Sequence, residues 1–404
     1  MPPPSDNPAR PPFLTADLPG VGGQIKAEPG DFLVEEIPLY LPQGTGQHLY
    51  VTIEKSGLST ISAIRKIAQA LNISPKRIGY AGQKDAQAIT RQTLSIDQGD
   101  PALISRLEIP NIQVLQVERH TNKLKIGHLA GNRFRIKIRQ VAEQALPTAQ
   151  DILNRLEKKG VPNYFGQQRF GNRNNSHILG ELIVRQNVTE FVAEFLGRPQ
   201  SNESQAIQEA RRRVDTGRWA EALSQWPRNF NDERRVLETI VKADGQLTDA
   251  VFKSLNGKLK SFLVSAFQAH LFNDLLSRRL PYLDQLQIGD VAYIHNKGAA
   301  FIVEDVDREQ PRADRFEISP AGPLFGPKLL AAEGVPGEEE AQVLLSRNLS
   351  PASFKVPGVK LRGARRPYRI PLKVAEVWWD DGLMVSFELP PGAYATTVLA
   401  EIMK

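Results

Sequence analysis

The sequence contains no cysteine. That absence excludes a disulfide framework, zinc knuckles, iron–sulfur clusters and thiol nucleophiles. Histidine is scarce as well. His48, His120, His128, His177, His270 and His295 are the full set, and no two stand at metal-ligand spacing, so a local histidine metal motif is excluded. No stretch of about 18 apolar residues occurs, and no transmembrane helix is expected. The opening Met1-Pro2-Pro3-Pro4-Ser5 has neither a basic n-region nor an apolar core, so no signal peptide is expected. A cytoplasmic protein that does not engage a membrane is the expectation from these absences.

What is present is globular in composition. With 41% hydrophobic and 24% charged residues over a length of 404, two domains with separate cores are expected. Lys and Arg number 51 against 45 Asp and Glu, a formal net charge of +6 that hints at an anionic partner if the charge is clustered. It is clustered. Arg119 to Arg139 holds seven basic residues and no acid, and Arg362 to Lys373 holds five and no acid. Phe134 and Tyr368 lie within these runs. Cations neutralise phosphates and flat rings stack on unpaired bases. By itself the Arg133–Arg139 stripe reads as the wet face of an edge strand. Two such runs in one chain bring in a nucleic acid as an equal reading.

Periodicity sets out the elements. Residues 1–19 are proline-rich and read as a mobile arm. Strands are expected at 32–37 and 48–53, followed by a helix capped at Ser59 or Thr60 with Ile61, Ile64, Ala68 and Leu71 at helical spacing. Residues 132–139 alternate strictly, with Phe134, Ile136 and Ile138 on one face and Arg133, Arg135, Lys137 and Arg139 on the other. A helix is expected over 147–159, closed by Gly160. Residues 180–280 read mainly as helix, most clearly 261–280 with Phe262, Ala266, Phe267, Leu271 and Leu275 toward a core. Residues 286–306 return to short strands. The acidic stretch 333–341 reads as a solvated surface. A hairpin is expected around Asp380-Asp381-Gly382. Sheet, helix and sheet in succession fit either an inserted second domain or three consecutive domains.

Among Gly-rich segments, Gly20-Val21-Gly22-Gly23-Gln24-Ile25-Lys26 lacks the ending of a phosphate loop and follows no strand, so no nucleotide site is read there. The informative segment is Gly79-Tyr80-Ala81-Gly82-Gln83-Lys84-Asp85, continuing to Thr90-Arg91-Gln92. It follows a helix, has two glycines that let the backbone bend, and sets an acid beside a base. From residue types alone the preferred reading is a surface turn with a solvated charge pair.

This segment resembles the catalytic motif of the TruD family of tRNA pseudouridine synthases. Lys26-Ala27-Glu28-Pro29-Gly30-Asp31-Phe32-Leu33-Val34-Glu35-Glu36 is similar to the family's opening motif. Gly127 to Phe134, Val161 to Gly171, Gly322-Pro323-Leu324-Phe325-Gly326 and Gly392-Ala393-Tyr394-Ala395-Thr396-Thr397 resemble four more, in family order. The resemblance runs from about Lys26 to Glu401.

The resemblance implies a mixed α/β, α+β fold. A pseudouridine-synthase-type catalytic domain with a mixed, largely antiparallel sheet would span 20–163 and 349–404, with a family-specific α/β domain inserted at 164–348. It implies isomerisation of uridine, at position 13 of tRNA in most of the family, with no cofactor and no metal. The implied partner is tRNA, acting on a monomer with no obligatory protein partner. Asp85 matches the catalytic aspartate, either as nucleophile on the sugar or as base on its carbon 2 proton. Lys26 matches the basic residue that pairs with it, or else contacts a phosphate. Lys84 is the neighbour in sequence, but adjacent side chains on extended backbone point apart. Phe134 would stack on the uracil and Asn132 would hydrogen-bond its edge or its ribose. Phe32 and Tyr394 match pocket-lining positions, Tyr394 standing where the family often has Phe. Arg133, Arg135, Arg365 and Arg366 are candidates for RNA backbone contacts, and His128 and Arg169 for anchors of turns. The rival expectation is an RNA-binding module, a chaperone or ribosome-associated factor that keeps the fold without catalysis.

Overall fold

The structure, a computed structural model, describes residues 11–84 and 88–404. They divide into two compact units, one built from Pro12–Asn163 with Ile370–Lys404, the other from Tyr164–Arg369. Among the described residues no helix is long and apolar enough to cross a membrane.

The first unit carries an eight-stranded sheet. Its strands are β1 (Phe32–Pro38), β2 (His48–Lys55), β3 (Ile78–Tyr80), β4 (Ile89–Asp97), β5 (Ile112–His120), β6 (Leu129–Ile138), β7 (Lys373–Trp379) and β8 (Leu383–Leu389). They lie in the order β7-β8-β6-β1-β4-β2-β5, with β3 also on β4. Only the β1–β4 pair is parallel, so the sheet is mixed and largely antiparallel. Its three longer helices are α1 (Thr60–Ala70), α2 (Leu146–Lys159) and α3 (Ala395–Met403). The Ser59 hydroxyl accepts from the Ser62 amide at the start of α1, and Gly160, at a φ of 91° that a side chain would disfavour, ends α2.

Register decides what each face of the sheet carries. Val34 of β1 pairs with Phe134 of β6 and with Thr90 of β4, and Thr90 pairs with Lys55 of β2. Paired residues share a face, so one face runs continuously across the sheet. On its β6–β8 side, Phe134, Ile136, Ile138, Val385 and Phe387 meet Ile152, Leu153 and Leu156 of α2 and Val398, Leu399 and Ile402 of α3. On its β2–β4 side, Leu49, Val51, Ile53, Leu94 and Ile96 meet Ala63, Ile64 and Ile67 of α1. Each such buried aliphatic or aromatic side chain contributes roughly 1.5–3 kcal/mol. The opposite face carries charged pairs and, around Tyr50, a smaller buried group with Leu124 and Leu129.

In the second unit the helix Gly257–Arg279 is buried along most of its length and packs on Ser176–Val184. The two backbones approach at Gly180, where a Cβ would meet the Leu263 carbonyl oxygen at 2.1 Å. A four-stranded sheet runs in the order Ala364–Pro367, Ile318–Leu324, Val291–Ile294, Ala299–Ile302. Buried ion pairs join Arg279 to Asp290 and Arg365 to Glu340, each at 2.5 Å.

Four expectations are corrected. The arm expected over 1–19 is docked over 14–18: the Leu14 and Thr15 amides donate to the Glu401 carboxylate at 2.8 and 3.0 Å, the Thr15 hydroxyl at 2.6 Å, and Leu14 and Leu18 pack on the core. The second unit continues past 348 to Arg369, because Phe354 stacks on Phe267 and the strand Ala364–Pro367 pairs with Ile318–Leu324. The acidic stretch 333–341 is not solvated loop but largely the helix Gly334–Leu345, with Glu340 turned inward to Arg365. Phe262 lies outward under the Arg169 guanidinium, while Leu263 and Val264 take the buried positions.

Asp31 buttresses the entry to β1. Arg139 donates to both its carboxylate oxygens, Nε to Oδ2 at 2.9 Å and Nη2 to Oδ1 at 2.8 Å, and the Glu28 amide donates at 2.9 Å. The Arg139 guanidinium holds the Asp31 carboxyl below its ordinary value of 3.8. A lowered value means stabilisation that is present above 3.8 and is lost as pH falls through the folded value. Asp31→Asn should therefore lower the urea midpoint at pH 7, and its difference from the parent should close as the pH is taken below 3.8. A difference that stays constant down to pH 2 would remove the ion pair from the account.

Candidate active site

Between the two apolar clusters, on the same face of the sheet, runs a polar seam. Glu36 stands in phase with Phe32 and Val34 on β1, and Thr90 and Gln92 stand in phase with Leu94 and Ile96 on β4. All three are buried. The Lys84 ammonium lies 3.0 Å from Glu36 Oε2, with the two side chains only 6% and 3% exposed. Burial pushes the Glu36 carboxyl above its ordinary 4.5, against the pull of Lys84. The Lys84 amide donates to the Thr60 hydroxyl at 2.9 Å, and that hydroxyl donates to Gln92 Oε1 at 2.8 Å. Gly82 backs the pair: a Cβ there would meet Lys84 Nζ at 3.3 Å and Glu36 Oε2 at 3.8 Å. Asp85 itself lies outside the described residues.

Next to the seam is an aromatic group. Phe32 and Phe134 meet edge to face with centroids 6.4 Å apart, and Phe134 lies 5.5 Å from Phe387 on β8. The Lys26 ammonium sits over the Phe32 ring at 4.6 Å. Lys26 has a φ of 59°, a left-handed backbone that a residue with a Cβ adopts at a cost, and its side chain is exposed. Asn132 pairs with Glu36 across β1 and shares the face of Phe134. Its Oδ1 is buried and has no hydrogen-bond partner among the described residues. An unpaired buried acceptor costs free energy unless a donor arrives.

The structure thus brings Lys26, Phe32, Asn132 and Phe134 to one face, beside residue 84. Tyr394 precedes α3 at 39% exposure, and among the described residues its ring touches neither Phe32 nor Phe134. The four arginines considered for RNA backbone contacts lie in different settings. Arg133 points to the opposite face, where it pairs with Glu388 at 2.7 Å and Glu35 at 3.7 Å. Arg91 and Glu54 continue this ladder at 2.7 Å. Arg135, exposed, shares that face, away from the Phe134 ring. Arg365 is 3% exposed at its side chain and is spent on Glu340 and on the Leu330 carbonyl. Arg366 is half-buried over the Phe165 ring at 4.1 Å. His128 anchors a turn, its Nδ1 2.7 Å from the Tyr40 hydroxyl, and Arg169 donates to Ser265 at 2.7 Å.

Of Glu36, Thr60, Lys84 and Gln92, only Lys84 is weighed as a site residue from the sequence, with Lys26 preferred to it; Thr60 reads there only as a possible helix cap. The signal was nonetheless there: a carboxylate, a hydroxyl and an amide fall on the inward phase of strands whose other inward residues are apolar. Among the described residues no group of three or more His, Asp or Glu side chains gathers as a metal site.

A family model described as tRNA pseudouridine synthase D (TruD) matches residues 12–402. The chain is 45% identical over 394 residues to tRNA pseudouridine synthase D of Geobacter metallireducens, covering 97% of each chain. It is 38% identical over 403 residues to the protein of that name from Thermus thermophilus, covering 98% of this chain and 93% of the other. A Methanosarcina mazei protein crystallised under the description tRNA pseudouridine synthase D (TruD) superposes with a TM-score of 0.88 at 29% identity, over 97% of this chain and 95% of that one.

Two substitutions separate the buried from the exposed arginine. Arg365→Ala strands the Glu340 carboxylate and should cost about 3–5 kcal/mol in urea unfolding. Arg133→Ala, on the wet ladder, should cost no more than about 1 kcal/mol. Equal costs would contradict the assignment of the two environments.

Proposed function

The chain belongs to the TruD family of tRNA pseudouridine synthases, and from that premise we propose that it converts uridine 13 of tRNA to pseudouridine, with Asp85 supplying the reacting carboxylate. The proposed enzyme acts in the cytoplasm as a monomer, without cofactor or metal.

The reaction breaks the bond between the sugar's carbon 1 and the base nitrogen N1. The detached uracil turns, carbon 5 bonds to the same sugar carbon, the proton on carbon 5 leaves to solvent, and N1 gains one. The Asp85 carboxylate either attacks the sugar carbon or takes the carbon 2 proton. In both routes the carboxylate has to be ionised, and a neighbouring cation lowers the cost of that charge. Lys26 is the cation assigned to it. Lys84 is the poorer choice because its ammonium is already matched to Glu36.

The single observation that carries the reading is the Asn132 Oδ1, without a partner among the described residues, on the same face as the Phe32–Phe134 rings. A detached uracil needs a flat apolar neighbour and an acceptor for its N3–H, and an acceptor also serves a ribose hydroxyl. Extruding the base from folded RNA costs a few kcal/mol. Contacts with aromatic rings, at about 1–3 kcal/mol per base, offset it. Tyr394 is assigned to the outer rim of the pocket, where its hydroxyl adds a polar contact. Arg133 and Arg135, on the exposed face, remain the candidates for RNA backbone contact, whereas Arg365 is buried against Glu340 and Arg366 lies over Phe165.

Release of tritium from tRNA labelled at carbon 5 of uridine tests the activity. The parent should release one tritium per tRNA, and a transcript with cytidine at position 13 should release none. Asp85→Asn should abolish release while tRNA affinity changes little. Lys26→Ala should lower the single-turnover rate by about 10- to 100-fold with the fold intact. Binding without release in the parent would favour a non-catalytic RNA-binding module, and full turnover in Asp85→Asn would defeat the assignment of the carboxylate.

A further inference from the structure

Resting on that reading of the site, we propose that Glu36 and Thr60 are positioning residues for the isomerisation: together they fix residue 84 by its side chain and its main chain, and so set where the adjoining Asp85 is presented. Three elements converge on one residue. Glu36, from β1, holds the Lys84 ammonium at 3.0 Å. Thr60, the first residue of α1, accepts the Lys84 amide at 2.9 Å. Gln92, from β4, accepts the Thr60 hydroxyl proton at 2.8 Å, which leaves the hydroxyl's lone pair turned to the amide. The direction of both hydrogen bonds follows: an amide N–H can only donate, so the Thr60 hydroxyl must send its own proton elsewhere.

A buried ion pair is weak as a source of stability. Taking both charges out of water offsets most of their attraction, and an apolar pair of similar volume is often as stable. Here the pair is nearly sealed, and it lies where the apolar clusters on either side would otherwise meet. What it supplies instead is definition. Lysine on a free stem samples many rotamers, whereas Lys84 is held at its far end by Glu36 and at its backbone by Thr60. Gly82, which leaves room for the ammonium, belongs to the same arrangement. A carboxylate misplaced by about 1 Å loses on the order of 100-fold in rate, so fixing the preceding residue at both ends bears directly on the chemistry.

The test uses full-length protein and uridine-labelled tRNA. Glu36→Met combined with Lys84→Met removes both charges and keeps the volume. Thr60→Val removes only the hydroxyl, and Thr60→Ser restores it. The double variant and Thr60→Val should unfold near the parental temperature and bind tRNA with parental affinity. Their single-turnover rates should fall by about 100-fold, and Thr60→Ser should recover most of the rate. Hydrogen exchange of the peptide spanning residues 80–92 should quicken by about tenfold in both. Parental rate and parental exchange in the folded double variant or in Thr60→Val would overturn the proposal. A rate loss matched by an equal loss of tRNA affinity, with exchange unchanged, would overturn it too. If the parent releases no tritium, the functional reading falls, and the exchange of residues 80–92 alone then decides whether Glu36 and Thr60 hold this segment.

Discussion

The sheet of the first unit is organised around one costly contact, the buried meeting of Glu36 with Lys84. Both groups would be better hydrated outside, and neither can be left alone inside, because an unmatched buried charge costs several kcal/mol. The pair therefore acts on register. A slip of β1 by one residue would turn Glu36 to the charged face and bring Glu35 in. Lys84 would lose its partner, Phe32 and Val34 would leave the core, and Asn132 would lose its neighbour across the strand. The polar seam thus works against alternative pairings of the same strands. On this face it stands between two separate apolar clusters.

The opposite face follows from the same register. With Glu36 turned inward, Glu35 must face out, and there it completes an alternating series with Glu388, Arg133, Arg91 and Glu54 across five strands. Each exposed pair contributes little, but the alternation avoids like charges side by side. In the basic stripe of β6, Arg133 is matched by Glu388 and Glu35, and just beyond it Arg139 by Asp31 and Glu28. The two faces therefore differ in kind. One carries the Phe32 and Phe134 rings, an acceptor without a partner among the described residues and a matched charge pair, and the other an alternating series of exposed charges.

How much of this was legible depended on the range of the interaction. Local periodicity placed β1, β2, β6, α1 and α2 and the hairpin of β7 and β8, because alternation, a serine cap and a terminal glycine are properties of adjacent residues. The facing of Asn132 and Phe134 away from Arg133 was legible for the same reason. The grouping of Lys26, Phe32, Asn132 and Phe134 was reached only through resemblance, since no rule of spacing joins residue 26 to residue 134. What escaped both routes were matches made across long separations: Arg365 with Glu340, Arg133 with Glu388, Leu14 and Thr15 with Glu401. In each case a charged or polar residue that looks solvated along the chain is paired by the fold. The acidic run near 338 failed as a solvated surface because one carboxylate, Glu340, faces a buried guanidinium one helical face away from its exposed neighbour Glu338.

The division of the first unit between two chain segments is consistent with where its polar groups sit. Lys26, Glu36, Thr60, Lys84, Gln92 and Asn132 all precede residue 163, so the whole seam comes from one continuous stretch of chain. The segment after Ile370 contributes apolar support: Val385 and Phe387 pair with Ile136 and Phe134 on β6, and α3 covers them. A polar constellation tolerates little error in position, because hydrogen bonds and ion pairs weaken steeply with misalignment. Apolar packing is non-directional and accepts a wall supplied from a distant part of the chain. Interrupting the unit after residue 163 therefore leaves the seam undivided, and what the later segment adds to this face is chiefly apolar packing, with its polar matches, Glu388 to Arg133 and Glu401 to Leu14 and Thr15, made elsewhere.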